Sequence, residues 1–182
     1  MPYFEGLEKA KLVIDVFARD KPRFGPYTVF MGDVMRATQS LNDIAREAIA
    51  LRVSTINQCH YCIGSHRAAL LELGCSPGQV DDFCTGHTDD SRLAGLLLFS
   101  EKLTIHPKGV DGSDLAKLRE LGASDQDIED TIAVTAVFAL MNRLVDGYGI
   151  KGDDQAFRMV GKSVSKGGYD SVPIMLGIKS DS

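Results

Sequence analysis

Residues 70–82, LLELGCSPGQVDD, and residues 118–130, LRELGASDQDIED, decide the fold because they are two copies of one helical connection. Six of the thirteen positions are identical, and the copies stand 48 residues apart. In each copy an apolar helix end is followed by a glycine, Gly74 or Gly122, which suits the left-handed position after a helix C-terminus. A serine follows, Ser76 or Ser124, which suits the N-cap of a new helix. The repeat therefore predicts an internally duplicated helical hairpin.

The rest of the chain has the same helical period. Apolar residues recur at three- and four-residue steps in residues 7–17, 44–56, 93–103 and 128–144. No run of alternating apolar and polar residues is long enough to predict a sheet. We expect an all-α protein with its main helical domain at residues 37–150. A helical segment, residues 1–36, precedes this domain, and a C-terminal helix and tail, residues 151–182, follow it.

Composition and charge narrow the functional classes. The 182 residues carry a formal net charge of −5 and contain no Trp, which argues against a nucleic-acid partner. The longest apolar runs, such as residues 132–141, are too short to cross a membrane, and residues 1–6 have no basic leader region. We therefore expect a cytoplasmic protein without a membrane partner. In that compartment a Cys-x-x-Cys pair is more often catalytic or metal-binding than structural.

The candidate site is one cluster of residue types within twenty positions: Glu47, Cys59, Cys62 and His66. We expect a helix from about residue 57 or 58 to residue 73, which puts the two thiols and the histidine on one face. His66 is one turn from Cys62 and too far from Cys59 to act on it directly. Both thiols would lie in the first turn, where the helix N-terminus stabilises a thiolate. Glu47, on the preceding helix, could orient His66 directly or through a water.

These positions imply a role for each residue. Glu47 orients the imidazole, His66 takes the proton, Cys62 attacks and Cys59 resolves. Two other interpretations of the cysteines stay open at this point. They could be inert buried thiols, or they could be ligands of a zinc ion together with His66 and one of three further residues, Glu47, Cys75 or Cys84. Outside such a zinc site, Cys75 and Cys84 are expected to be packing residues, because the second copy of the repeat has Ala123 and Ile132 at their positions.

Residues 46–66, REAIALRVSTINQCHYCIGSH, resemble the signature of alkylhydroperoxidase D-like proteins, which belong to the carboxymuconolactone decarboxylase superfamily. The shared spacing is Glu-x11-Cys-x2-Cys-x3-His. Residues 138–147, FALMNRLVDG, resemble a second helix of that family, so the likeness covers roughly residues 37–150. Peroxidase members have a histidine immediately before the second cysteine. This chain has Tyr61 there, as in the peroxidase-related branch.

The resemblance implies an all-α fold with an internal duplication and assembly into homo-trimers or homo-hexamers. It implies a thiol-dependent peroxidase or disulfide oxidoreductase that uses no metal or cofactor, with a hydroperoxide as substrate and an external dithiol as reductant. The family's relay glutamate, resolving cysteine, peroxidatic cysteine and relay histidine correspond to Glu47, Cys59, Cys62 and His66. The alternative function is a non-catalytic helical module that is stabilised by zinc or that senses oxidants.

Overall fold

The structure, a computed structural model, describes residues 1–36 and 41–180. The expected domain boundary at residue 37 and the end of the expected tail, residues 181–182, lie outside the described residues. Those described form α-helices and a short 3-10 helix but no strand, so the all-α prediction is confirmed. The helices are α1 (Val13–Arg19), α2 (Lys21–Met35), α3 (Asp43–Ile56), α4 (His60–Glu72), α5 (Pro77–Thr85), α6 (Ser91–Ile105), α7 (Gly112–Glu120), α8 (Asp125–Tyr148), α9 (Asp154–Gly167) and α10 (Ser171–Met175).

The two copies of the repeat form the same connection. Gly74 and Gly122 have φ values of +96° and +91°, the left-handed conformation that glycine adopts without a steric penalty. The backbone N–H that follows each glycine donates to the carbonyl of Leu70 or Leu118, five residues earlier, which closes the helix end. Each serine then caps the next helix in a capping box.

The duplication extends beyond a hairpin to three helices. The first helix of each unit begins at Asp43 or Ser91, and the third begins at Pro77 or Asp125, so both pairs of starts are 48 residues apart. The middle helices do not match in this way, because the 3-10 turn Pro107–Gly109 precedes α7 and delays its start. The second unit therefore repeats the scaffold and differs at the position where the first unit carries its cysteines.

Helix α3 lies at the centre of the fold and packs against α4, α5, α6 and α8. Ala48, Ile49, Ala50 and Leu51 are all fully buried, so this helix is apolar on more than one face, as a helix surrounded by others must be. Arg46 of the same helix is a large charged residue that is only 2% exposed, and it therefore needs partners.

Arg46 finds those partners on three parts of the chain. Its guanidinium donates to the carbonyls of Leu41 and Val34 and forms an ion pair with Asp130 on α8. One buried side chain thus joins the end of α2, the segment just before α3 and the first turns of α8.

Helix α9 lies along α4 at very short range. A Cβ atom built on Gly161 of α9 would come within 2.8 Å of the backbone of Ala68, and one built on Gly64 of α4 would come within 2.6 Å of the ring of Phe157. Two glycines therefore allow an approach that side chains would block. Since α4 carries the cysteine pair, this packing makes α9 a wall of the candidate site.

Candidate active site

The connection between α3 and α4 sets where the cysteines lie. Gln58 has a φ of +57°, the left-handed region, and it is the one non-glycine residue with a positive φ in the described part of the chain. The expected helix start at residue 57 or 58 is therefore wrong, because this conformation ends α3 and lets α4 begin at His60. Cys59 is the N-cap of α4 and Cys62 is its third residue, so only Cys62 lies in the first turn.

The two thiols are reduced and adjacent. Their Sγ atoms are 3.0 Å apart, so a small approach would bring them to the length of a disulfide bond. Cys59 has no exposed surface and Cys62 is 2% exposed. The pair therefore lies inside the protein and not on its surface.

Glu47 and His66 form a direct contact, the simpler of the two arrangements expected from the sequence. The Nδ1 atom of His66 lies 2.8 Å from Oε2 of Glu47, and both side chains are almost fully buried. A carboxylate only accepts, so Nδ1 donates to Glu47, and Nε2 is the ring nitrogen left for other groups. The ring of Phe138 packs edge-on against the imidazole at 4.4 Å between centroids and fixes its plane.

The environment of Cys62 differs from the expectation based on helix position. Burial raises the pKa of this thiol well above its usual value, and the neighbouring Cys59 raises it further. The loss of solvation thus outweighs the stabilisation that the helix N-terminus gives to a thiolate. Cys62 is a thiol at neutral pH in this state, and it needs a base to become a nucleophile.

Asn142 of α8 opposes that rise in pKa. It is 1% exposed, and its side chain interacts with the Cys62 thiol and lowers its pKa. The amide's orientation is fixed, because Oδ1 accepts from Asn57 Nδ2 at 2.8 Å and Nδ2 donates to Ser54 Oγ at 3.0 Å. The N–H side of the amide is therefore the side available to the thiol.

An apolar cavity of about 180 Å³ opens beside the cysteines. Its walls come from α1, α2, α4, α8, α9 and α10 and the turn between the last two helices. Cys62 and His66 line it, whereas Cys59 is buried away from it. The residues that make its walls apolar include Val13, Phe17, Met31, Phe138, Met141 and Val172. An apolar molecule bound in this cavity would contact the Cys62 thiol and the His66 imidazole.

A comparison with known families covers the part of the chain that holds the candidate site. The model of the carboxymuconolactone decarboxylase family matches residues 24–92, which include all four candidate site residues. A solved structure of an uncharacterised peroxidase-related protein from Silicibacter sp. TM1040 is 27% identical, with a TM-score of 0.74, over 83% of this chain and 82% of that one.

A second solved structure is described as the alkylhydroperoxidase AhpD core of an uncharacterised peroxidase-related protein from Ralstonia eutropha JMP134. It is 29% identical, with a TM-score of 0.74, over 86% of each chain. Residues 24–92 are thus similar to the carboxymuconolactone decarboxylase family, and the fold is similar to that of two peroxidase-related proteins. The alkylhydroperoxidase D-like classification expected from residues 46–66 is confirmed. No curated protein matches the chain significantly.

Tyr61 has a structural task in this alkylhydroperoxidase D-like protein. Its hydroxyl accepts a hydrogen bond of 3.2 Å from the backbone N–H of Val13, the first residue of α1. The N-cap residue of α1 makes no side-chain capping bond, so Tyr61 satisfies an N–H at this helix end. Its ring packs against Phe157 of α9, and burial raises its pKa to about 12. The residue before the second cysteine therefore ties α1 and α9 to the site.

Sequence reasoning missed three residues of the candidate site: Asn142, Tyr169 and Ser65. A signal existed for Asn142, which lies four residues after Phe138 and thus on the same apolar helix face. Tyr169 follows α9 and lines the cavity. Burial and the nearby Glu47 carboxylate raise its pKa well above the usual value. Nothing in the sequence connects Tyr169 with Glu47, because their contact depends on how α9 docks.

The zinc interpretation and the membrane prediction can also be compared with the structure. Within residues 1–36 and 41–180, no three His, Cys, Asp or Glu side chains lie close enough to hold a metal ion together. Cys84 is apart from the pair and its sulfur accepts from Arg67 at 3.4 Å, while Cys75 is buried elsewhere. None of the described helices is long and apolar enough to span a membrane.

Proposed function

We propose that this protein is a thiol-dependent peroxidase that reduces organic hydroperoxides through Cys62 and Cys59. The observation that carries the proposal is a reduced cysteine pair with sulfurs 3.0 Å apart, one of which lines an apolar cavity beside a His66–Glu47 pair. The match of residues 24–92 to the carboxymuconolactone decarboxylase family and the likeness to two peroxidase-related proteins support it.

The first step forms a bond between sulfur and oxygen and breaks the O–O bond of the hydroperoxide. His66 accepts the proton of the Cys62 thiol, and the thiolate attacks the terminal oxygen of the hydroperoxide. The O–O bond breaks, Cys62 becomes a sulfenic acid, and the departing alkoxide takes the proton from His66 to leave as an alcohol. Glu47 holds the proton on Nδ1, so that Nε2 is free to accept and return this proton.

The second step closes the disulfide and needs an external reductant. The Cys59 sulfur attacks the sulfur of the sulfenic acid, water leaves, and a Cys59–Cys62 disulfide forms. An external dithiol then reduces the disulfide by exchange and is itself oxidised, which balances the two electrons taken by the peroxide.

The difference in access supports this assignment of the two sulfurs. Cys62 lines the cavity and contacts Asn142, whose interaction favours the thiolate. Cys59 is fully buried and precedes the helix, so it is placed to meet an oxidised Cys62 and not a peroxide. The high pKa of Cys62 fits a nucleophile that a base deprotonates when the substrate is bound.

Three single variants test the proposal in an assay with cumene hydroperoxide and dithiothreitol. We expect Cys62→Ser to abolish turnover and Cys59→Ser to leave a sulfenic acid that dimedone traps. Cys75→Ser, a buried cysteine away from the cavity, is the matched control and keeps wild-type turnover. Wild-type rates in both Cys62→Ser and Cys59→Ser would refute the mechanism, and wild-type protein that does not turn over would refute the function.

The alternative of a redox sensor without turnover is separated by the same assay. A sensor is oxidised once per chain, whereas a peroxidase consumes many equivalents of hydroperoxide while the dithiol lasts. The expected homo-trimer or homo-hexamer and the cytoplasmic location stay predictions. Light scattering at micromolar concentration tests the first, and fractionation of cells tests the second.

A further inference from the structure

Ser65 has a buried hydroxyl without a partner in the candidate cavity. It lies on α4 three residues after Cys62, hence on the same helix face, and it is 6% exposed. Its Oγ atom is buried and makes no hydrogen bond to the described residues, although it lines the cavity together with Cys62. A buried hydroxyl without a hydrogen bond costs free energy, so its retention here needs a reason.

Other buried hydroxyls on helices of this protein are satisfied in the ordinary way. Ser100 donates to the carbonyl of Leu97 at 2.8 Å, and Thr131 donates to that of Asp127 at 2.7 Å. Such bonds to the preceding turn are the usual solution for a serine or threonine inside a helix. The hydroxyl of Ser65 does not form one and is available to a ligand.

The other hydroxyl groups around the cavity already have partners. Ser163 and Ser171 lie 3.2 Å apart and hydrogen-bond to each other, and Tyr61 accepts from the backbone of α1. The Ser65 side chain interacts with the Tyr61 hydroxyl and lowers its pKa against the larger effect of burial, but the two groups do not have the geometry of a formed hydrogen bond. Among these hydroxyls, Ser65 is the one still able to hold a polar atom of a ligand.

We propose that Ser65 is the polar anchor of the substrate pocket and hydrogen-bonds the oxygen of a hydroperoxyl or hydroxyl group on a compact apolar molecule. One helical turn separates Ser65 from Cys62, so an oxygen bound to the hydroxyl lies within reach of the sulfur. The volume of about 180 Å³ is close to that of apolar cavities that hold a benzene ring, so the ligand is a small hydrocarbon group with one polar head.

The consequence for the reaction rests on the proposed peroxidase function. The Ser65 hydroxyl donates to the oxygen attached to carbon, which leaves as alkoxide when the O–O bond breaks, and the other oxygen faces Cys62. The binding of an alcohol, the product of that step, does not depend on any redox chemistry and can be measured by itself.

The test compares two isosteric probes, 2-phenyl-2-propanol and tert-butylbenzene, in which a hydroxyl replaces a methyl group. Calorimetric titrations use the reduced full chain as wild type, as Ser65→Ala and as Ser100→Ala, a matched loss of a buried serine hydroxyl outside the cavity. We expect Ser65→Ala to weaken binding of the alcohol by about three- to tenfold, the range for one neutral hydrogen bond, and to leave the hydrocarbon within about twofold. Ser100→Ala should change neither affinity.

Three outcomes overturn the inference, and the first two are equal binding of the alcohol by wild type and Ser65→Ala, or no binding of either probe to wild type. Equal weakening of both probes also overturns it, because that result means a change of shape and not the loss of a hydrogen bond. Stoichiometric oxidation of the wild-type thiols by cumene hydroperoxide is measured in parallel. If oxidation fails while Ser65 still discriminates the probes, the peroxidase proposal falls and the anchor stands.

Discussion

Asn142 offers a direct test of how this protein makes a thiolate from a buried thiol. We choose Asn142→Leu, which keeps the side-chain volume and removes the N–H donor. A hydrogen bond to a charged group contributes about 1.5–3 kcal/mol. Its loss should therefore reduce the population of Cys62 thiolate at neutral pH by about ten- to a hundredfold. The direction follows from the structure, since the interaction with Asn142 lowers the pKa of Cys62 and its removal lets that pKa rise.

The assay is the rate of alkylation of Cys62 by iodoacetamide across a range of pH, in a Cys59→Ser background that leaves one thiol in the pair. The profile of Asn142→Leu should move to higher pH. Ser54→Ala is the control, because Ser54 accepts from Asn142 without being a neighbour that affects the thiol's pKa. It should lower stability and leave the alkylation rate within about twofold. An unchanged profile for Asn142→Leu, with lowered stability alone, would show that the amide only supports packing.

Three further predictions concern stability. Burial raises the pKa of Cys62, so the folded state keeps a proton that the unfolded chain loses near pH 8.5, and stability should fall as pH rises above that value. Urea unfolding should show a shallower fall in Cys62→Ser, and equal slopes would contradict the shift. Gly161→Ala should lower the free energy of unfolding by about 1–3 kcal/mol, because its Cβ meets the backbone of Ala68. Gly147→Ala, on the exposed face of α8, should raise it by about 0.5–1 kcal/mol. Thermal unfolding compares the two variants, and equal effects would refute the close contact of α4 and α9. Tyr61→Phe removes the acceptor for the first N–H of α1 and should cost about 1 kcal/mol and increase amide exchange at Val13; unaltered exchange there would count against the cap.

Local rules were enough to predict the scaffold. The glycines and serines of the repeat act through backbone conformation and caps, which depend on neighbours in sequence, and each has its expected conformation. The approach of Glu47 to His66 was also accessible, since two consecutive helices joined by a short turn must lie side by side.

Other features of the site depend on contacts between distant parts of the chain. Asn142 reaches Asn57 across 85 residues, and Tyr169 reaches Glu47 only because α9 lies on α4. The direction of the pKa shift of Cys62 was predicted wrongly. The sequence shows a helix N-terminus and does not show how completely the sulfur is buried. The late start of α4 was missed because glutamine rarely adopts the left-handed conformation found at Gln58.

The close packing of α9 on α4 also has a consequence while the protein is being synthesised. Synthesis proceeds from the N-terminus, and the helix that carries Cys62 is made well before the helix that contributes Phe157 and Gly161. Until α9 is complete, the face of α4 that it covers stays open to the cellular milieu, and thiols that will later be sheltered are accessible to oxidants and to neighbouring nascent chains. The site is therefore complete only after α9 has packed on α4. Chains truncated before residue 154 should be the ones most prone to mixed disulfides.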